Sequence, residues 1–201
     1  CEIAGIIGWW AMEDSFDDVV GDNHLTEYGN VGFGSSNVAK TVGTNSTCKY
    51  GEFDGASYGR VNDSGYLNSD ELAVSAWVYP TSYPNDENDT NGADNLMSIS
   101  SKDVNYEFHI NQDGKLYWWW QNESNATRSL TSANSVPVNT WSHVAISYQA
   151  GEQKMYINGV LEDSGTWNET PKHSTCDYFV GADVATGTCD VIPERTFIGL
   201  L

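Results

Sequence analysis

The sequence predicts an all-β chain folded as two packed antiparallel sheets, and three observations carry that expectation. Apolar residues recur with period two in short runs, Gly, Asn, Asp and Pro separate those runs, and no segment shows a capped helical repeat. "LAVSAWVYP", Leu72 to Pro80, sets Leu72, Val74, Ala76 and Val78 on one face and Ser75, Trp77 and Tyr79 on the other. Pro80 cannot donate to a ladder and ends the strand. "YEFHINQDGKLYWWWQ" reads as a hairpin, with Tyr106, Phe108 and Ile110 on one face of the first strand. Asp113-Gly114 supplies its turn, and Leu116, Trp118 and Trp120 line the matching face of the second strand. "WSHVAISYQAGEQKMYINGVLEDSG" repeats the plan: Val144, Ile146 and Tyr148 alternate, the chain turns near Gly151, Met155 and Ile157 return, and Asn158-Gly159 makes a tight turn.

With 201 residues and no low-complexity linker, the chain predicts a single domain spanning 1–201. Two insertions interrupt it. The segment near 81–95, "TSYPNDENDTNGADN", has no apolar period and reads as a solvated loop; a second insertion is expected near 165–188.

Charge narrows the classes of partner. Lys and Arg total 9 against 28 for Asp and Glu, a formal net charge of −19. A polyanion is repelled by such a surface, so no nucleic-acid partner is expected, and an anionic membrane surface is disfavoured for the same reason. No uninterrupted apolar run is long enough for a transmembrane helix, so no direct membrane insertion is expected. The carboxylates are interspersed with Asn, Ser, Thr and Gly, a pattern that serves solubility and also supplies oxygen ligands of the kind Ca²⁺ takes.

Four cysteines, Cys1, Cys48, Cys176 and Cys189, show neither a C-x-x-C pair nor zinc-site spacing, which favours two disulfides. Three pairings exist; the short separation of Cys176 and Cys189 points to one loop staple, leaving Cys1 with Cys48. Disulfides imply an oxidising compartment, so an extracellular, cell-surface or periplasmic location is expected. The chain opens at Cys1 without an initiator methionine and is expected to be a processed piece of something longer. Six Asn-x-Ser/Thr sequons, beginning at Asn45, Asn62, Asn88, Asn122, Asn125 and Asn168, arise readily in so Asn- and Ser-rich a sequence and carry little weight.

The order of these pieces is more specific than their class. "GEFDGASYGRVNDSGYLNSDELAVSAWVYPTS", followed at a distance by "NTWSHVAISYQAGEQKMYINGVLEDSG", resembles the laminin G-like, concanavalin A-like jelly-roll modules of bacterial surface and secreted proteins. "IIGWWAMEDSFDDVVGDNHLTEYGNVGF" is similar to that family's opening strands and D-x-x-G-N loop. Among family members, the modules attached to MSHA-type pilus biogenesis proteins are similar in flavour. The resemblance implies a jelly-roll sandwich and a rim loop that binds Ca²⁺. In this family a "DEVRIY" strand usually closes the sheet; here the sequence reaches "RTFIGLL", so either a sheet edge is left unpaired, inviting a homodimer, or closure is achieved differently.

Two sites follow. The loop "DDVVGDNHL", residues 17 to 25, offers Asp18, Asp22 and Asn23 as Ca²⁺ ligands, with Asp18 and Asn23 on the family's loop pattern; His24 is expected to contribute its carbonyl rather than its ring. The alternative for the same residues is a metal-free cluster of Asx turns. Sugar rings stack on aromatic faces while amides bind their hydroxyls, so a carbohydrate site needs both on one surface. Tyr117, Trp119 and Gln121 share a strand face, with Glu107, His109 and Asn111 on the corresponding face of the hairpin partner and Trp77 expected nearby. Trp118 and Trp120 are assigned to the core.

Catalysis is not expected. The glucanase E-x-D-x-x-E pattern is absent, and "EFDGAS" lacks its final acid. The expected function is a noncatalytic recognition or adhesion module that binds a glycan or surface protein with help from Ca²⁺. The alternatives are an assembly domain of a pilus-type apparatus and, last, a glycoside hydrolase.

Overall fold

The computed structural model describes residues 5–36, 48–85, 95–184, 189 and 194–201. These residues form fourteen strands and no helix. The first sheet has the order β1-β4-β13-β6-β7-β8-β9, made of β1 (Thr26–Tyr28), β4 (Tyr58–Val61), β13 (Tyr178–Val180), β6 (Leu96–Lys102), β7 (Tyr106–Asn111), β8 (Lys115–Gln121) and β9 (Thr127–Ser135). The second runs β12-β11-β10-β5-β14-β3-β2, made of β12 (Val160–Thr166), β11 (Glu152–Ile157), β10 (Ser142–Gln149), β5 (Leu72–Pro80), β14 (Ile198–Leu200), β3 (Cys48–Asp54) and β2 (Gly32–Ser36). Every pairing is antiparallel, and the two sheets pack as a jelly-roll sandwich.

Alternation builds the core. Val144 and Ile146 of β10 register against Ala76 and Val74 of β5, and against Ile157 and Met155 of β11, so the inner face of the second sheet is continuously apolar. Across the first sheet the row Val180, Ser100, Phe108, Trp118, Leu130 faces inward. Trp118 and Trp120, each 1% exposed, belong to the main core cluster as expected.

Turn chemistry holds the hairpins in register. Asn158 (φ 49°) and Gly159 (φ 78°) both occupy the left-handed region that a two-residue hairpin demands. In the other hairpin Asn111 Oδ1 accepts from the backbone N–H groups of Asp113 and Lys115, and Gly114 sits at φ 75°.

The insertion expected near 165–188 is corrected in part. β12 runs to Thr166, and Tyr178–Val180 forms β13, a central strand paired with both β4 and β6. Its staple is present: Cys176 and Cys189 are disulfide-bonded. The Cys1–Cys48 pairing and residues 86–94 of the 81–95 insertion lie outside the described residues. β14 inserts between β3 and β5, and Leu201 exchanges two backbone hydrogen bonds with Gly51. The strand ending the sequence is therefore interior rather than an edge.

Candidate carbohydrate-binding site

Residues directly opposite each other in a ladder point to the same side of a sheet. The register therefore draws one row across the outer face of the first sheet: Arg60, Phe179, Ser101, Glu107, Trp119, Ser129. Part of this row is covered. Tyr58, Phe179, Ala182 and Val184 form a second, smaller apolar cluster, and Arg60 lies over the rings of Tyr28 and Phe179. Ala182 and Val184 belong to the segment that leaves β13 and crosses back over the sheet. A bridge between Asp183 and Glu194 and a bond from Ser98 N–H to the Arg195 carbonyl fix that segment.

Beside this cover an open depression remains, of roughly 510 Å³. Tyr117, Trp119 and Gln121 from β8 form its floor, Thr127 and Thr131 from β9 stand along one side, and Asn111, Asp113 and Arg195 along the other. An aromatic floor ringed by amides, hydroxyls, one carboxylate and one guanidinium is suited to a sugar, whose faces are apolar and whose edges are hydroxyl-rich.

The expected ligand set is thus partly assembled. Tyr117, Trp119, Gln121 and Asn111 come together. Trp119 is less free than its place in the sequence suggests: it is only 8% exposed, packed by neighbouring strands on both sides. His109 is corrected outright, since it is 0% exposed and lies beneath the crossing segment, 3.4 Å from Glu107 and 3.7 Å from Asp183. Trp77 is corrected too: β5 belongs to the opposite sheet, where Trp77 is 43% exposed and meets the ring of His143. Arg195, Thr127 and Thr131 escaped the sequence reading. The threonines alternate along "TRSLTSANS" on the face that Leu130 does not share, which was a usable signal; nothing local marks Arg195.

The 17–25 loop is built around Asp18, 4% exposed. Its Oδ1 accepts from the backbone N–H groups of Trp9 and Val20, and its Oδ2 from the backbone and side-chain N–H groups of Asn23. Burial opposes ionisation, but these donors outweigh it and hold the Asp18 pKa below its ordinary value. Asn23 also donates to the Ile7 carbonyl and accepts from the Trp10 indole, while His24 Nδ1 accepts from the Asp18 N–H. Gly21 is required by close approach, because a Cβ there would sit 2.9 Å from Asp18 Oδ2. Asp22 is exposed. With both carboxylate oxygens committed to N–H donors, the loop does not fit Ca²⁺ coordination through Asp18; it fits the metal-free Asx cluster.

A two-sheet jelly roll with an aromatic, hydroxyl- and amide-lined depression on one outer face is the architecture of a lectin-like module. The chain belongs to the concanavalin A-like lectin/glucanases superfamily, whose model matches residues 53–193. No curated protein sequence matches it. Among solved structures, domain 4 of AbnA, a GH43 extracellular arabinanase from Geobacillus stearothermophilus in complex with arabinotriose, is 20% identical with TM-score 0.62, covering 94% of this chain and 86% of that one. The binding domain of Paraclostridial Mosquitocidal Protein 1 is 16% identical with TM-score 0.60 over 84% of this chain, which spans 42% of that one. The Ruminococcus gnavus IT-sialidase CBM40 bound to α2,3-sialyllactose is 14% identical with TM-score 0.51, covering 66% of this chain and 72% of that one. At these identities the likeness is one of fold. The comparisons lend no support to the pilus-type resemblance.

Proposed function

We propose that this chain is a noncatalytic carbohydrate-binding module of a secreted or cell-surface protein, and that the depression floored by Tyr117, Trp119 and Gln121 is its binding surface. The observation that carries the proposal is the conjunction, on one open face, of two aromatic rings with side-chain amides and hydroxyls. Two of the structural neighbours, the arabinanase domain and the CBM40, are complexes with arabinotriose and α2,3-sialyllactose, which supports a glycan as the class of ligand. The disulfide supports an oxidising, extracellular setting.

The depression argues for binding rather than hydrolysis. Glycoside hydrolysis needs two carboxyl groups flanking the scissile bond, and Asp113 is the one carboxylate among the lining residues. Calcium plays no part in this proposal, because the loop that was its candidate has spent its best carboxylate on N–H donors.

The test is titration calorimetry against soluble oligosaccharides, including arabino-oligosaccharides and sialyllactose, with Trp119→Ala and Tyr117→Ala in parallel. Binding that weakens about tenfold or more in both variants supports the surface. Absence of binding across the panel would return the chain to a structural or assembly role, and release of reducing sugar would overturn the noncatalytic assignment.

A further inference from the structure

Beneath the crossing segment lies a group of side chains that the proposed glycan site does not use. Glu107 and His109 project from β7 on one face, two residues apart, and Asp183 descends onto them from the segment above. All three are 0% exposed, and their candidate ligand atoms lie within 4.8 Å of one another.

Glu107 Oε1 is engaged, accepting from the Val104 N–H. Glu107 Oε2 and Asp183 Oδ1 meet no N–H donor and are shut away from solvent, and the Glu107 and Asp183 carboxyls lie in hydrogen-bonding contact with each other. A carboxylate oxygen left so costs several kcal/mol unless a proton or a cation meets it. The surrounding charge does not remove the problem. Arg195 reaches Asp183 at 2.8 Å, but Asp103 also bears on Glu107, and the buried Lys102 on the neighbouring strand is committed to Asp63 and the Cys176 carbonyl.

The spacing suggests what completes the group. Ligand atoms about 2.1 Å from a tetrahedral ion lie roughly 3.4 Å from one another. His109 Nε2 is 3.4 Å from Glu107 Oε2 and 3.7 Å from Asp183 Oδ2, spacings that match two edges of a coordination polyhedron.

We propose that Glu107, His109 and Asp183 form a buried site for a first-row divalent metal ion of the Zn²⁺ class, which fastens residues 181–184 to the outer face of the first sheet. One imidazole with two carboxylates suits Zn²⁺ better than Ca²⁺, which seeks six to eight oxygens, or Mg²⁺, which keeps several waters. The ion ties a strand residue pair to a residue roughly 75 positions away in sequence, so it joins distant parts of the chain. The competing arrangement is a proton shared between Glu107 and Asp183 with no metal present.

Zinc alone, without glycan, tests this on the full chain. After EDTA treatment and equilibrium dialysis against Zn²⁺, elemental analysis is expected to find about one equivalent bound. The melting temperature should rise by about 5–10 °C at a hundredfold excess over Kd. Glu107→Gln, which keeps the acceptor for Val104, should fold by circular dichroism and lose both the equivalent and the shift. Wild-type protein that binds no zinc and shows no shift would overturn the site and favour the shared proton. Retention of a full equivalent by Glu107→Gln would also overturn it, since the ion would then sit at a surface histidine such as His24, His143 or His173. If the variant does not fold, the wild-type arms decide. A negative result here leaves the glycan site untouched, because neither zinc nor the cluster enters that assay.

Discussion

Three consecutive tryptophans occupy three different situations. Trp118 and Trp120 fill the core, so truncating either to Ala is expected to cost about 3–5 kcal/mol, as large buried rings do. Trp119 lies on the other face with one side open to the depression, and Trp119→Ala should cost less, about 1–3 kcal/mol, while removing binding. Chemical denaturation of the three variants checks the ranking. Alternation told the two faces apart, but the sequence could not say how deeply strands β7 and β9 would bury Trp119. Asp18 shows the opposite limit: "DDVVGDNHL" advertises oxygen ligands, yet folding turns N–H groups onto them. Asp18→Asn is expected to cost about 2 kcal/mol, equally with or without EDTA. Because the folded-state pKa of Asp18 is depressed, its contribution is present above the unfolded value of 3.8 and is lost as pH falls through the folded one. The variant should therefore show a flatter acid limb in a stability-against-pH profile.

At the scale of elements, hairpins were legible because their signals are local. Asn158-Gly159 and Asp113-Gly114 name their own turns, and the structure separates their sensitivities. A Cβ on Gly159 meets nothing within 4 Å, so Gly159→Ala should cost only backbone strain, about 1 kcal/mol. A Cβ on Gly114 would lie 2.3 Å from the Tyr83 ring, so Gly114→Ala should cost clearly more; melting temperatures of the pair check the order. β13 and the crossing segment were not legible, because both depend on partners far away in sequence. "YFV" is too short to alternate, and Glu107 and His109 look solvated on β7 until residues such as Asp183 come down on them. The staple between Cys176 and Cys189 closes a short loop at the root of that segment. Replacing both cysteines with Ser should lower stability by about 3 kcal/mol on the chain-entropy account, read as a lower denaturation midpoint.

The whole molecule was the most predictable level. Period-two runs, turn residues and the "SAWVYP" and "WSHVAISY...MYING" segments specified a two-sheet sandwich, and the chain folds as one through two seven-stranded sheets. What composition could not locate was the face that meets a ligand, since a net charge of −19 is spread over the surface and the depression carries only one acid and one guanidinium. Binding at such a patch should owe little to long-range charge. The most direct measurement is calorimetric titration of the wild-type module and Trp119→Ala with an oligosaccharide panel at low and high salt. The account predicts wild-type binding that changes little with salt and is lost in the folded variant. Undiminished binding by Trp119→Ala would contradict it.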